Sequence, residues 1–432
     1  MEKRKNMEYL FEKISILDPI DGEKRNMYVG VDHAGICWIS DTAPLEPAKR
    51  VIPGRNRLLI PGLKNTHTHI AMTALRGVCD DRNLNDWLFG SIIPLESRMT
   101  PRMIELSAQM GLLEAAAGGT TAVCDMYACA PQLARSVRAL GMRGNIGNVP
   151  LCTQDFSPDD RSILETEQLL AEFSADTLIT PVCGVHSVHT TCPQVWEWVG
   201  KLVARRPVPL IMHMSEARED VEACRKLYGD TPAAVLEANG LFACRPLIAH
   251  GVWVDERELE ILARNDVSLA HCPVSNLKLA SGIAPVTDYL AHGINVSIAT
   301  DGVASNNSLD LFEEMKYAVL LQKYRKGDAQ ALDSAQVFRF ATVNACKALG
   351  YGNCGRIAQG YDADLVMLDL DRPGLVPQRD LLSNLIYCAN ASDVRLTMVR
   401  GRIIYENGAY PNIDHERIIR EFCDDVMPLL HS

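Results

Sequence analysis

From about residue 110 the hydrophobic and polar positions repeat: an amphipathic stretch, then a short apolar run that stops at a polar side chain. The apolar runs read as strands over 121–125, 144–148, 179–186, 210–213, 247–250, 267–271 and 296–301. With 59–67 placed in front, the strands number eight. Amphipathic stretches such as 102–117 and 255–264 lie between them and read as helices. Strand–helix units repeated eight times over about 300 residues predict an α/β chain folded as a (β/α)8 TIM barrel.

The two ends of the chain read differently. Residues 8–60 and 361–410 carry short alternating segments, among them 28–31, 36–40, 363–369 and the hairpin-like 397–405. These predict antiparallel strands from both termini, packed into one small β-sandwich domain. The expected organisation is 1–60 as the N-terminal part of that sandwich and 61–354 as a metal-dependent barrel. Residues 355–432 are its C-terminal part, with a terminal helix over 414–430.

The polar residues that end the barrel strands carry the chemistry. In such barrels the active site lies at the C-terminal strand ends. His67, His69, His186, His213, His250, His271 and Asp301 all fall there, so six of the chain's 11 histidines gather at one rim. Side chains alternate along a strand, so His67 and His69, two apart, point the same way. With His213 and Asp301 they form a set of three imidazoles and one carboxylate. That set satisfies a zinc-like divalent ion and leaves a position for water. Such a cation lowers the pKa of its water from about 15.7 towards 7. Glu216, three residues past His213, is placed to shuttle a proton, His250 to hydrogen-bond the attacked centre, and Asp301 to take the water's first proton. Blander roles stand beside these: His186 and His271 as satisfied structural residues, the latter holding the loop 272–276, and Glu216 as a carboxylate favoured at a helix N-terminus.

Composition narrows the class. The hydrophobic share is 47%, the charged share 22% and the formal net charge −11, with no basic stretch to meet a nucleic acid. The 14 cysteines are scattered without a Cys-x-x-Cys, so reduced thiols in a cytoplasmic enzyme are expected. The N-terminus has no long apolar region of the signal-peptide kind, and no apolar run approaches the roughly 20 residues of a membrane span. Gly350-Tyr351-Gly352-Asn353-Cys354-Gly355 matches a dinucleotide fingerprint in letters only. A helix-like stretch precedes it where a strand is required, so it reads as a glycine-rich crossing from barrel to sandwich. The His-x-Glu and Pro-Cys-x-x-Cys signature of another zinc deaminase class is absent.

The segments 65–69, 213–216, 249–251 and 299–302 resemble the amidohydrolase superfamily. Residues 275–279 and 301–309 narrow the resemblance to the 5′-methylthioadenosine/S-adenosylhomocysteine deaminases, and it extends through 360–366 in the sandwich. The resemblance implies one divalent metal ion, Zn2+, and a nucleoside substrate. Hydroxide formed at the metal attacks C6 of the adenine ring, Glu216 protonates N1, and ammonia leaves. Trp87 and Glu96 match substrate contacts, Glu96 accepting from both ribose hydroxyls, and His186 matches a contact near the nucleoside tail. Where relatives often carry an arginine after the third strand, this chain has Asn148, and Arg161 matches a second such arginine. An Asn does not replace bidentate carboxylate recognition, so activity is expected to shift from S-adenosylhomocysteine towards adenosine or 5′-methylthioadenosine. A homo-oligomer is left open. So are two other readings: a hydrolase of guanine, pterins or triazines on the same scaffold, and a binding protein that has lost catalysis.

Overall fold

The computed structural model describes residues 7–33, 35–150, 156–157, 159–206 and 208–430. The expectation about residues 1–6, and part of the loop before Arg161, lie outside the described residues.

Five strands open the chain: β1 (Met7–Asp18), β2 (Gly22–Val31), β3 (Ile36–Ser40), β4 (Ala48–Pro53) and β5 (Arg57–Pro61). Nine more carry the repeat: β6 (Leu63–Thr68), β7 (Thr120–Met126), β8 (Arg143–Gly147), β9 (Ile179–Pro181), β10 (Cys183–Val185), β11 (Leu210–Met214), β12 (Leu247–His250), β13 (Ser268–His271) and β14 (Asn295–Ile298). Three close it: β15 (Leu365–Asp369), β16 (Val394–Val399) and β17 (Arg402–Glu406).

The terminal strands form one eight-stranded sheet in the order β17-β16-β15-β5-β1-β2-β3, with β4 also on β1. Its central ladder pairs β5 with β15 antiparallel, Leu59 opposite Met367, so both ends of the chain share one sheet. Alternating apolar residues supply its core, including Phe11, Ile14, Val29, Leu59, Leu365 and Leu396. The hairpin at its C-terminal edge turns through Arg400 and Gly401, both at positive φ (46° and 73°).

The repeat forms two parallel sheets, β6-β7-β8-β9 and β10-β11-β12-β13-β14. Every residue of β6, β7, β8 and β11 is buried; β11 accordingly reads as a near-continuous apolar run, whereas β6 and β8 bury polar side chains such as Lys64, Asn65, His67, Arg143 and Asn145. Helices cover them. Pro101–Ala117 starts at the cap Thr100, and Glu256–Arg264 starts at a reciprocal cap between Asp255 and Glu258. No disulfide joins the described cysteines. No helix among the described residues is long and apolar enough to cross a membrane.

Two expected strands are each divided. The run 59–67 breaks at Gly62, β5 ending in the terminal sheet and β6 beginning in the parallel one. The two sheets touch there: Gly62 N donates to Asp364 O at 2.8 Å. A Cβ at Gly62 would lie 2.3 Å from Thr121 Cγ2, so only glycine fits. The run 179–186 breaks at Val182. Pro181 ends β9, and Cys183 then bonds to Pro209 O on the side of the second sheet. At the other seam no ladder joins β14 to β6. Thr66 Oγ1 donates to Ile298 O at 2.8 Å, Asn65 Nδ2 to Thr300 Oγ1 at 2.7 Å, and Asp301 N to His67 O at 3.1 Å. Gly350–Gly355 follows the helix Val343–Leu349, so it starts no nucleotide-binding helix. The tail is helical over His415–Asp425 and Met427–Leu430.

Candidate active site

The residues picked out at strand ends converge on one cavity. His69, His186, His213, Glu216, His250 and Asp301 line it beside Trp87, Glu96 and Tyr127. His67 lies just behind, 1% exposed. Three of the positions follow from backbone turned into the left-handed region: Ser215 (φ 52°), His250 (φ 72°) and Asp301 (φ 63°). Non-glycine residues adopt this conformation at a cost of about 1–3 kcal/mol each, and such outliers collect at functional sites.

Hydrogen bonds fix which ring nitrogens face the centre. His69 Nδ1 donates to Met126 O at 2.7 Å, and His213 Nδ1 donates to His186 O at 2.9 Å. A neutral imidazole with Nδ1–H committed in this way keeps a lone pair on Nε2. The two Nε2 atoms stand 3.1 Å apart, lone pair facing lone pair, an arrangement that a cation between them relieves. Asp301 Oδ1 is 3.4 Å from both His67 Nε2 and His69 Nε2. Both nitrogens of His67 are buried without a hydrogen-bond partner in the protein. Ligands at about 2.0–2.1 Å around a tetrahedral first-row cation are separated by about 3.3–3.4 Å, close to these distances. His67, His69, His213 and Asp301 therefore fit such an ion.

The electrostatics agree. Burial pushes His67 down to about 4 and His213 well below the ordinary imidazole range, which favours neutral, ligating rings. Burial alone would raise Asp301; the neighbouring His67, His250 and His69 outweigh it and hold the carboxylate ionised. Its second oxygen is held from behind, by Ser275 Oγ at 2.6 Å and Ser305 Oγ at 2.7 Å.

Glu216 and His250 form a pair, Oε2 to Nε2 at 3.5 Å. His250 Nδ1 donates to Asn276 Oδ1 at 2.9 Å, which turns Nε2 towards the carboxylate. Burial raises Glu216 to about 8, against the opposing pull of His250. Glu216 is thus poised to hold a proton near neutrality.

Across the cavity, Trp87 and Glu96 lie on one helical run, Leu84–Trp87 continuing through the π-helical Leu88–Ile92 into Ile93–Glu96. The Trp87 Nε1 donor is buried and unpartnered. Glu96 accepts from Tyr127 Oη, and burial lifts its carboxyl to about 7. His186 Nδ1 lies 2.7 Å from Thr190 Oγ1.

Two expected substrate contacts are placed elsewhere. Asn148 is buried and donates to Glu165 Oε2 at 2.5 Å, and Arg161 Nε donates to Glu165 Oε1 at 2.7 Å. Neither is among the described residues that line the cavity. His271 is buried with neither ring nitrogen hydrogen-bonded, and it too lies off the wall. Sequence reasoning passed over Tyr127, Ser275, Ser305, Asn276 and Glu165. Glu165, four residues after Arg161 in the helix Arg161–Phe173, and Ser305, four residues after Asp301, carried spacings that could have revealed them.

Residues 58–404 match the Amidohydrolase family. The chain is 40% identical over 374 residues to a 5-methylthioadenosine/S-adenosylhomocysteine deaminase of Pelotomaculum thermopropionicum, covering 86% of each. It is 36% identical over 407 residues to a 5′-deoxyadenosine deaminase of Methanosarcina acetivorans, covering 94% of each. Among solved structures, an adenosine deaminase from Xanthomonas campestris with bound zinc matches at TM-score 0.93 and 31% identity, over 99% of this chain and 100% of that one. By the family match over 58–404 and by its identity to curated relatives over most of its length, the chain belongs to the amidohydrolase family and, within it, to the 5-methylthioadenosine/S-adenosylhomocysteine deaminases.

Proposed function

We propose that this protein deaminates adenosine-type nucleosides hydrolytically, with a preference for those whose 5′ group bears no carboxylate. The observation that carries the reading is a single cavity with the His67, His69, His213 and Asp301 ligand atoms at its base, Glu216 beside them, and Glu96 on the facing wall. Those four residues would hold one Zn2+, which when bound supplies the positive charge that brings a water towards ionisation near neutral pH. Asp301 takes a proton from the water that attacks C6. Glu216 delivers a proton to N1 as C6 becomes tetrahedral, and His250 keeps Glu216 aimed at the ring. The C6–amine bond then breaks, ammonia leaves with the proton Asp301 had taken, and the C6 hydroxyl gives its proton back to Glu216 as the carbonyl forms. Glu96 receives the ribose hydroxyls, Trp87 packs on the nucleoside, and His186 lies towards its 5′ end. The two parallel sheets act as one (β/α)8 barrel closed at the β14–β6 seam, with 61–354 as its extent and 1–60 and 355–432 as the terminal unit.

The 5′ preference follows from charge. No lysine or arginine is among the described lining residues, while Glu96, Glu216, Asp220 and Asp301 are. Arg161, the cation the resemblance offers for a substrate carboxylate, is engaged by Glu165. A homocysteine carboxylate would therefore meet carboxylates and no lysine or arginine among the described lining residues.

Ammonia release from adenosine, 5′-deoxyadenosine, 5′-methylthioadenosine and S-adenosylhomocysteine tests both parts. The expected kcat/KM for S-adenosylhomocysteine is at least tenfold below the others, and activity is abolished by a chelator and restored by Zn2+. Equal or better turnover of S-adenosylhomocysteine overturns the preference. Turnover of guanine or a triazine, with none of adenosine derivatives, overturns the nucleoside reading.

A further inference from the structure

Trp87 and Glu96 lie on one continuous helical run, Leu84–Trp87, the π-helical Leu88–Ile92 and Ile93–Glu96. Glu96 is the last residue of that run, so the helix places its backbone and the orientation of its long side chain depends on the partner that meets it. For Glu96 that partner is Tyr127. Its phenol donates to Glu96 Oε1, and this is the one hydrogen bond the Glu96 side chain makes among the described residues. Tyr127 itself is anchored. It follows directly on β7, its amide donates to Gly147 O at 3.1 Å, and its side chain is 7% exposed among the apolar residues around Trp87. Its ring centroid is 6.3 Å from that of His69, so it spans the distance between the ligand end of the cavity and the Glu96 wall.

We propose that Tyr127 is a positioning residue for sugar recognition: its hydroxyl fixes the Glu96 carboxylate so that the remaining lone pairs face the ribose diol. A carboxylate has about four acceptor directions. The phenol occupies one and locks the rotamer, and two others stay open for the 2′- and 3′-hydroxyls. Without the phenol, Glu96 must be ordered by the substrate itself, which weakens binding. The inference rests on the reading of Glu96 as the sugar acceptor, and its signature is selective. Nucleosides with the diol depend on Tyr127; nucleosides without it do not.

The experiment compares kcat and KM for adenosine and 2′,3′-dideoxyadenosine in the wild-type holoenzyme, Tyr127→Phe, Glu96→Gln and the double variant. Tyr127→Phe is expected to raise KM for adenosine five- to twentyfold, with kcat within twofold, and to leave dideoxyadenosine kcat/KM within twofold. On the Glu96→Gln background the same substitution should change adenosine kcat/KM by less than twofold. Equal losses on both nucleosides, or no loss on either, overturn the role of Tyr127. If Glu96→Gln itself fails to discriminate the two nucleosides, the reading of Glu96 falls instead. Should Tyr127→Phe alone not fold, the double variant, which leaves no ionised carboxylate unpaired, carries the test. A tenfold further loss there overturns the proposal.

Discussion

Glu96 and Glu216 stand in one cavity, both lifted by burial, to about 7 and about 8, and the proposed mechanism gives them opposite tasks. Glu216 must give a proton, so a raised value serves it. Glutamine at 216 keeps the shape and removes the proton, and kcat for adenosine is expected to fall about 100- to 10,000-fold with KM little changed. Steady-state kinetics on metal-replete protein checks this. Glu96 must accept, so protonation harms it. Below about pH 7 its neutral form gains ground, and at pH 6 only about a tenth of the free enzyme would carry the carboxylate. KM for adenosine should therefore rise about tenfold from pH 8 to pH 6, while KM for 2′,3′-dideoxyadenosine stays flat; equal profiles would remove Glu96 from sugar binding. At this scale the sequence was legible where residue type is rare and position is constrained. Histidines at strand ends meet both conditions. The fate of Arg161 was not legible, because the competing partner Glu165 also depends on how its helix meets Asn148 and Cys129.

Elements decide how firmly the ligand set is held. Asp301 lies past the end of β14, on left-handed backbone whose amide donates to His67 O and whose carbonyl accepts from Thr68 Oγ1. Two short helices orient its carboxylate. Ser275 of Pro273–Lys278 and Ser305 of Val303–Asn306 both donate to Oδ2, leaving Oδ1 towards His67 and His69. Loss of such outer partners typically costs 10–100-fold in metal affinity. Replacing both serines with alanine is accordingly expected to weaken zinc binding by that factor, read by competition with a chelator of known affinity. An unchanged affinity would mean the loop alone holds Asp301. The strands themselves were legible as apolar runs, but their divisions at Gly62 and Val182 were not. Both breaks arise where a strand changes partners, and hydrophobic periodicity records burial without recording which sheet does the burying.

Across the whole molecule, one buried carboxylate ties the terminal sheet to the strands that carry the site. Asp364 accepts from Arg143 Nε of β8 at 2.8 Å, from Cys354 Sγ at 3.0 Å and from Arg400 N at 2.9 Å. Lys64 Nζ of β6 stands 3.4 Å from it and also donates to Gly62 O and Thr121 Oγ1. Burial opposes charge on both groups. The cations Lys64 and Arg143 nevertheless hold Asp364 below the ordinary carboxylate range, and the charge of Asp364 holds Lys64 above the ordinary amine range. The signs give two limits. A depressed carboxylate contributes stability that is present above its unfolded value, about 3.9, and lost as pH falls through the folded one. A raised amine contributes stability that is full below its unfolded value, about 10.4, and lost as pH rises through the folded one. Stability should thus hold between about pH 4 and pH 10 and fall on either side. Asparagine at 364 leaves the buried Lys64 without its anion and Arg143 with Asp362 alone, a change worth about 3–5 kcal/mol. Denaturant unfolding of Asp364→Asn against wild type at pH 7 measures that loss, which should shrink as wild type is taken below pH 4. A loss that stays constant down to pH 2 would show that the ion pairs are not what joins the two parts.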